Sequence, residues 1–101
     1  MKQLMVRYKV KPDQAERNAE LIRPVFAELE QTAPEGFHYA AFRLDDGLTF
    51  LHVVAQEDEG NNPLPELDAF RRFTADIRDR CDEQPVFMEA DVVGSFRLFD
   101  R

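Results

Sequence analysis

Two histidines, two tyrosines, one serine and one cysteine are the side chains of this 101-residue chain best suited to moving a proton or attacking an electrophile. His38 and His52 each lie among strand-forming residues, and either could act as a general base or a ligand, because imidazole titrates near neutrality. Whether they cooperate depends on one turn. If Asp46-Gly47 is a two-residue turn, His38 faces Ala55 and His52 faces Ala41 across a hairpin, on opposite sheet faces. If Asp45-Asp46-Gly47 is a three-residue loop with Gly47 left-handed, His52 moves opposite Ala40 and joins His38 on one face.

Tyr8 and Tyr39 could position a substrate or donate a proton; as core aromatics they would keep only the hydroxyl at an edge. Arg7, Arg43 and Arg97 fall on three strand-like segments and would bind an acidic or phenolate group if they converged, or pair with carboxylates at a rim if they did not. Ser95 follows Gly94 without the Gly-x-Ser-x-Gly turn that exposes a nucleophile. Cys81 falls on an apolar helical stripe and reads as packing. Glu89 and Asp91 do not combine with the histidines at any metal-site spacing, so neither metal nor cofactor is expected.

Six elements must position these groups. Leu4, Val6, Tyr8 and Val10 alternate with Met5, Arg7 and Lys9, a half-buried strand ended by Pro12. Asp13 with Glu16 reads as a capping box for a helix whose stripe is Ala15, Ala19, Ile22, Phe26 and Leu29, kinked or split at Pro24 and ended by Pro34 and Gly36. Phe37 to Leu44 and Leu48 to Gln56 make a hairpin. Pro63 and Pro65 lead into a second helix with the stripe Leu67, Phe70, Phe73, Ile77 and Cys81. A last strand-like segment runs from Val86 to Phe99, with Gly94 as a bulge or bend. The order βαββαβ predicts an α+β ferredoxin-like fold in one domain, residues 1–101, with a four-stranded antiparallel sheet and both helices on one face.

The other sheet face would be bare. Both parities of the hairpin and last strand carry large apolar groups, which implies burial against a second copy of the chain. A net charge of -7 disfavours nucleic acid and anionic membrane surfaces. With no apolar run long enough for a signal peptide or membrane span, and one unpaired cysteine, a cytoplasmic setting is expected.

The run Met5-Val6-Arg7-Tyr8-Lys9-Val10 into a helix, the Asp46-Gly47 hairpin, the Asn62-Pro63-Leu64 entry with Leu67, Ala69, Phe70 and Phe73, and the closing Val93-Gly94-Ser95-Phe96 resemble the antibiotic biosynthesis monooxygenase-like family of the dimeric α/β barrel superfamily. The resemblance spans nearly the whole chain. It implies two protomers that pair their sheets into one barrel, with a ligand cavity inside the barrel or between each sheet and its helices. It also implies activities ranging from cofactor-free oxygenation of phenols to haem degradation. The tryptophan of those sites has no counterpart here, and Asn18, Asn61 and Asn62 do not occupy the family's asparagine position, so haem degradation is disfavoured.

Two readings follow. In the first, a homodimeric cofactor-independent monooxygenase-like enzyme holds an aromatic or apolar compound among Arg7, Arg43, Tyr39, Phe50 and Phe96, and one of His52, His38 or Tyr8 handles a proton. In the second, a non-catalytic binding or stress-associated dimer has its barrel interior filled by Phe42, Phe50, Phe96 and Phe99.

Overall fold

The structure, a computed structural model, describes residues 2–58 and 60–98. Strand β1 (Lys2–Val10) leads through a 3₁₀ turn (Pro12–Gln14) into helix α1 (Ala15–Thr32). Strands β2 (Phe37–Arg43) and β3 (Thr49–Gln56) form the hairpin. A second 3₁₀ turn (Leu64–Glu66) precedes α2 (Asp68–Ala75), the four-residue α3 (Ile77–Arg80) and β4 (Cys81–Asp91). The sheet is antiparallel with order β2-β3-β1-β4, the ferredoxin-like arrangement. Among the described residues no helix is long and apolar enough to cross a membrane.

Alternation along the strands sorts the side chains into two faces. Val6, Tyr8, Val10, Phe50 and His52 turn toward the helices, where Ile22 and Val25 of α1 and Ala69 and Phe73 of α2 complete the core. Met5, Leu51, Val53, Phe42, Val86 and Met88 share the opposite face, which no described helix packs against and where Val86 and Met88 are exposed.

Several elements differ from the sequence expectation. The capping box does not form: Asp13 lies inside the 3₁₀ turn, and the Glu16 carboxylate accepts a hydrogen bond from Arg43 instead. α1 runs unbroken through Pro24, because its buried face outweighs the lost hydrogen bond. It ends at Thr32, with the left-handed Ala33 donating its N–H to the Leu29 carbonyl. The second helix breaks at Asp76 (φ -116°, ψ 18°), so Cys81 is buried as the first residue of β4, opposite Val10, and not on a helix.

The largest correction concerns the last strand. β4 stops at Asp91, opposite Lys2, the first described residue of β1, and residues 92–98 pair with no other described strand. Phe96 is therefore 80% exposed, while Phe99 lies outside the described residues.

The hairpin takes the register of the two-residue alternative, with His38 opposite Ala55 and His52 opposite Ala41, but closes through residues 45–48 after the Leu44–Thr49 pair. The Asp46 carboxylate accepts hydrogen bonds from the Leu48 and Thr49 N–H groups and the Thr49 hydroxyl. Those bonds, the Thr49 hydroxyl first, hold its pKa down to about 2. Gly47 takes φ +74°, and a Cβ there would meet only the Arg43 guanidinium, 3.9 Å away. Gly47→Ala is accordingly expected to cost about 1–2 kcal/mol from backbone strain alone. Gly94→Ala, in open space, should be near neutral. Urea denaturation midpoints of both variants check the contrast.

Candidate functional site

A cavity of about 430 Å³ lies between the sheet and the second helical segment, within the range of small-molecule sites. Val6, Val54, Leu64, Phe70, Ile77 and Phe87 give it an apolar wall, into which Tyr8, Tyr39 and His52 are set.

His52 stands on β3 between two tyrosines that reach it diagonally from the flanking strands. Val6 of β1 and Ala41 of β2 lie directly opposite His52, so Tyr8 and Tyr39 occupy the positions two residues away on the same face. The small Ala41 leaves space beside the imidazole. The Tyr8 hydroxyl lies 2.8 Å from His52 Nε2, and the Tyr39 hydroxyl 2.6 Å from Nδ1. Each ring is also braced by a phenylalanine: Tyr8 stacks on Phe50, His52 on Phe73 and Tyr39 on Phe26, with centroids 5.6, 5.5 and 4.8 Å apart.

Behind Tyr8 the polar chain continues. The Asn18 side-chain amide donates to the Tyr8 hydroxyl at 2.9 Å, and Arg80 Nε donates to Asn18 Oδ1 at 3.1 Å. Arg80 is only 2% exposed, donates a second bond through Nη2 to the Phe73 carbonyl and lies over the Phe73 ring. Burial holds the His52 imidazole down to about 4 and raises both tyrosine hydroxyls above their usual range. For Tyr8 the Asn18 hydrogen bond and the Arg80 charge oppose that rise. At neutral pH the relay is therefore three uncharged groups with a cation at its far end.

Of the residues singled out in the sequence, Tyr8, Tyr39 and His52 are thus brought together. The others are not. His38 points from the opposite sheet face and meets Glu57 at 3.4 Å in an exposed pair. Arg7 pairs with Glu83 on that same face. Arg43 pairs with Glu16 at the hairpin end, and Arg97 lies over Phe96 beyond the sheet, so the three arginines do not converge. Phe50 sits beneath Tyr8 as a support and does not line the cavity, and Phe96 is outside it. Phe42 lies on the open face, so Phe42, Phe50 and Phe96 do not fill a common interior. Glu89 lines the cavity, but among the described residues no three His, Cys, Asp or Glu are grouped to hold a metal.

From the sequence alone Asn18 is set aside as off the family's asparagine position, and Arg80 is not named. The available signal was a polar residue on an apolar stripe: Asn18 falls three residues after Ala15 and four before Ile22, and Arg80 three after Ile77.

No protein-family model matches the chain, and no curated protein sequence matches it significantly. Solved structures do. A candidate antibiotic biosynthesis monooxygenase from Nitrosomonas europaea superposes with a TM-score of 0.77 at 16% identity, covering 93% of this chain and all of that one. A second structure described as an antibiotic biosynthesis monooxygenase gives 0.69 at 18%, with coverage of 93% and 100%. A mutant of SnoaB, a cofactor-independent oxygenase from Streptomyces nogalater, gives 0.68 at 10%, with coverage of 95% and 96%. The likeness is one of fold, and it extends over nearly the whole chain.

The buried imidazole makes stability depend on pH. Because burial depresses its pKa in the folded state from 6.5 to about 4, the unfolded chain binds the extra proton first as the medium is acidified. The His52 contribution, on the order of 3 kcal/mol, should be fully present above pH 6.5 and lost progressively toward pH 4. Urea titrations across that window should show the slope, and His52→Phe should flatten it.

Proposed function

We propose that the chain acts as a homodimeric, cofactor-independent enzyme on a small hydroxylated aromatic or otherwise apolar compound held in the cavity between sheet and helices. The observation that carries this reading is the hydrogen-bonded chain Tyr39, His52, Tyr8 set into an otherwise apolar wall. Both ring nitrogens of His52 are engaged, so Tyr39 is the member that meets the substrate, and His52 and Tyr8 hold it and its proton in place. The fold shared with SnoaB, described as a cofactor-independent oxygenase, supports oxygenation as the reaction class. The chemistry balances without an added reductant: a naphthol and dioxygen give a naphthoquinone and water, the ring supplying the electrons.

The uncovered sheet face supports the dimer. Val86 and Met88 there are 52% and 43% exposed, beside Met5, Phe42, Leu51 and Val53, and a second copy pairing face to face would bury them. The single cysteine fits a cytoplasmic setting. A second reading, binding without turnover, draws support from the neutrality of the relay, because His52 does not titrate near pH 7.

Dioxygen uptake with 1-naphthol, measured beside its binding, separates the two. Uptake by the wild type that falls about 100-fold in Tyr39→Phe is the expected result for the enzyme. Full activity in that variant would remove the relay from the reaction, and saturable binding without uptake would leave the second reading. Native mass spectrometry should show about 24 kDa, twice the 11.8 kDa chain; a lone monomer would remove the dimer.

A further inference from the structure

The polar chain behind the cavity has a direction. Arginine is only ever a hydrogen-bond donor, so Arg80 Nε fixes the Asn18 oxygen toward itself and leaves the Asn18 NH₂ to donate to the Tyr8 oxygen. Tyr8 is 1% exposed and has no polar partner among the described residues besides Asn18 and His52. Its O–H must therefore donate to His52 Nε2, since in the reverse order it would be buried without an acceptor. A neutral imidazole that accepts at Nε2 carries its proton on Nδ1 and donates to the Tyr39 oxygen. Among the described residues the Tyr39 O–H is then the one relay proton without an acceptor, on a half-buried residue at the cavity wall. Gln56, which also lines the cavity, has an amide nitrogen without an acceptor among the described residues.

We propose that Asn18 and Arg80 are positioning residues that hold His52 as its Nδ1–H tautomer and so make the Tyr39 hydroxyl a donor, selecting ligands that present a hydrogen-bond-accepting oxygen: a carbonyl, or the oxyanion of an acidic phenol or enol. The ligand half of this statement rests on the cavity being a ligand site, as proposed above. The order of the hydrogen bonds does not.

Asn18→Asp is the discriminating variant. A carboxylate there still accepts from Arg80, but now also accepts from the Tyr8 O–H. Tyr8 must then accept from Nε2–H, the tautomer inverts, and Tyr39 spends its proton on Nδ1. ¹⁵N NMR of labelled imidazole at pH 7 reads the tautomer directly, with exposed His38 as an internal comparison. Nδ1–H in the wild type and Nε2–H in Asn18→Asp are expected. Nε2–H or a mixture in the wild type overturns the proposal without any variant, and an unchanged tautomer in a folded Asn18→Asp overturns the positioning role.

Binding is measured with 2-acetylnaphthalene, which can only accept, and 1-(2-naphthyl)ethanol, which can also donate. The ketone should weaken at least tenfold relative to the alcohol in Asn18→Asp. An unchanged ratio overturns the selection. Failure of both compounds to bind the wild type, with the Nδ1–H tautomer present, overturns the ligand half together with the cavity reading and leaves the hydrogen-bond order standing.

Discussion

An imidazole removed from water needs a partner for each ring nitrogen, and in this fold that need is met only in one register of three strands. His52 is 4% exposed on an inner strand, and its partners come one from each neighbour. A slip of one residue between β3 and either flanking strand would carry a tyrosine to the other sheet face and strand a nitrogen. Satisfaction of one side chain and alignment of the sheet are thus the same condition. The phenylalanines on Tyr8, His52 and Tyr39 add stiffness, because a stacked ring cannot swing its polar edge away without losing its contact.

Electrostatics at the rear of the site have an unusual balance. Among the described residues the buried Arg80 has no carboxylate as a hydrogen-bond partner; its charge is met by an amide oxygen, a backbone carbonyl and the face of Phe73. Burial works against the cation, lowering its pKa, and the neighbouring tyrosine works the other way. The fixed charge is kept away from the cavity, and neutral groups carry its polarity forward.

Much of the architecture was legible because it is local. Alternation from Leu4 to Val10, the apolar stripe from Ala15 to Leu29 and the Asp46-Gly47 signal each concern residues close in sequence, and each leads to an element seen in the fold. The site was half legible. Tyr8, Tyr39 and His52 stand out by residue type, but the β1–β3 pairing that joins Tyr8 to His52 is set by packing across the molecule, not by a turn. The length of the last strand was misread for a related reason. Apolar residues of both parities at Val92 and Val93 show what a segment would bury, but a strand also needs a neighbour, and the described pairing with β1 reaches no further than Asp91. Arg80 was missed because a charged residue near a helix end is usually solvated, and here the break at Asp76 accompanies its burial.

The relay also has a topological meaning. Its links join residues 13, 44, 10 and 62 positions apart, so it closes loops of very different length around one cavity. The β2–β3 hairpin alone holds only the Tyr39–His52 pair, and every segment shorter than Tyr8 to Arg80 lacks at least one member. The site is therefore a property of the completed chain fold, and no excised hairpin, helix pair or half of the sheet can serve as a minimal version of it.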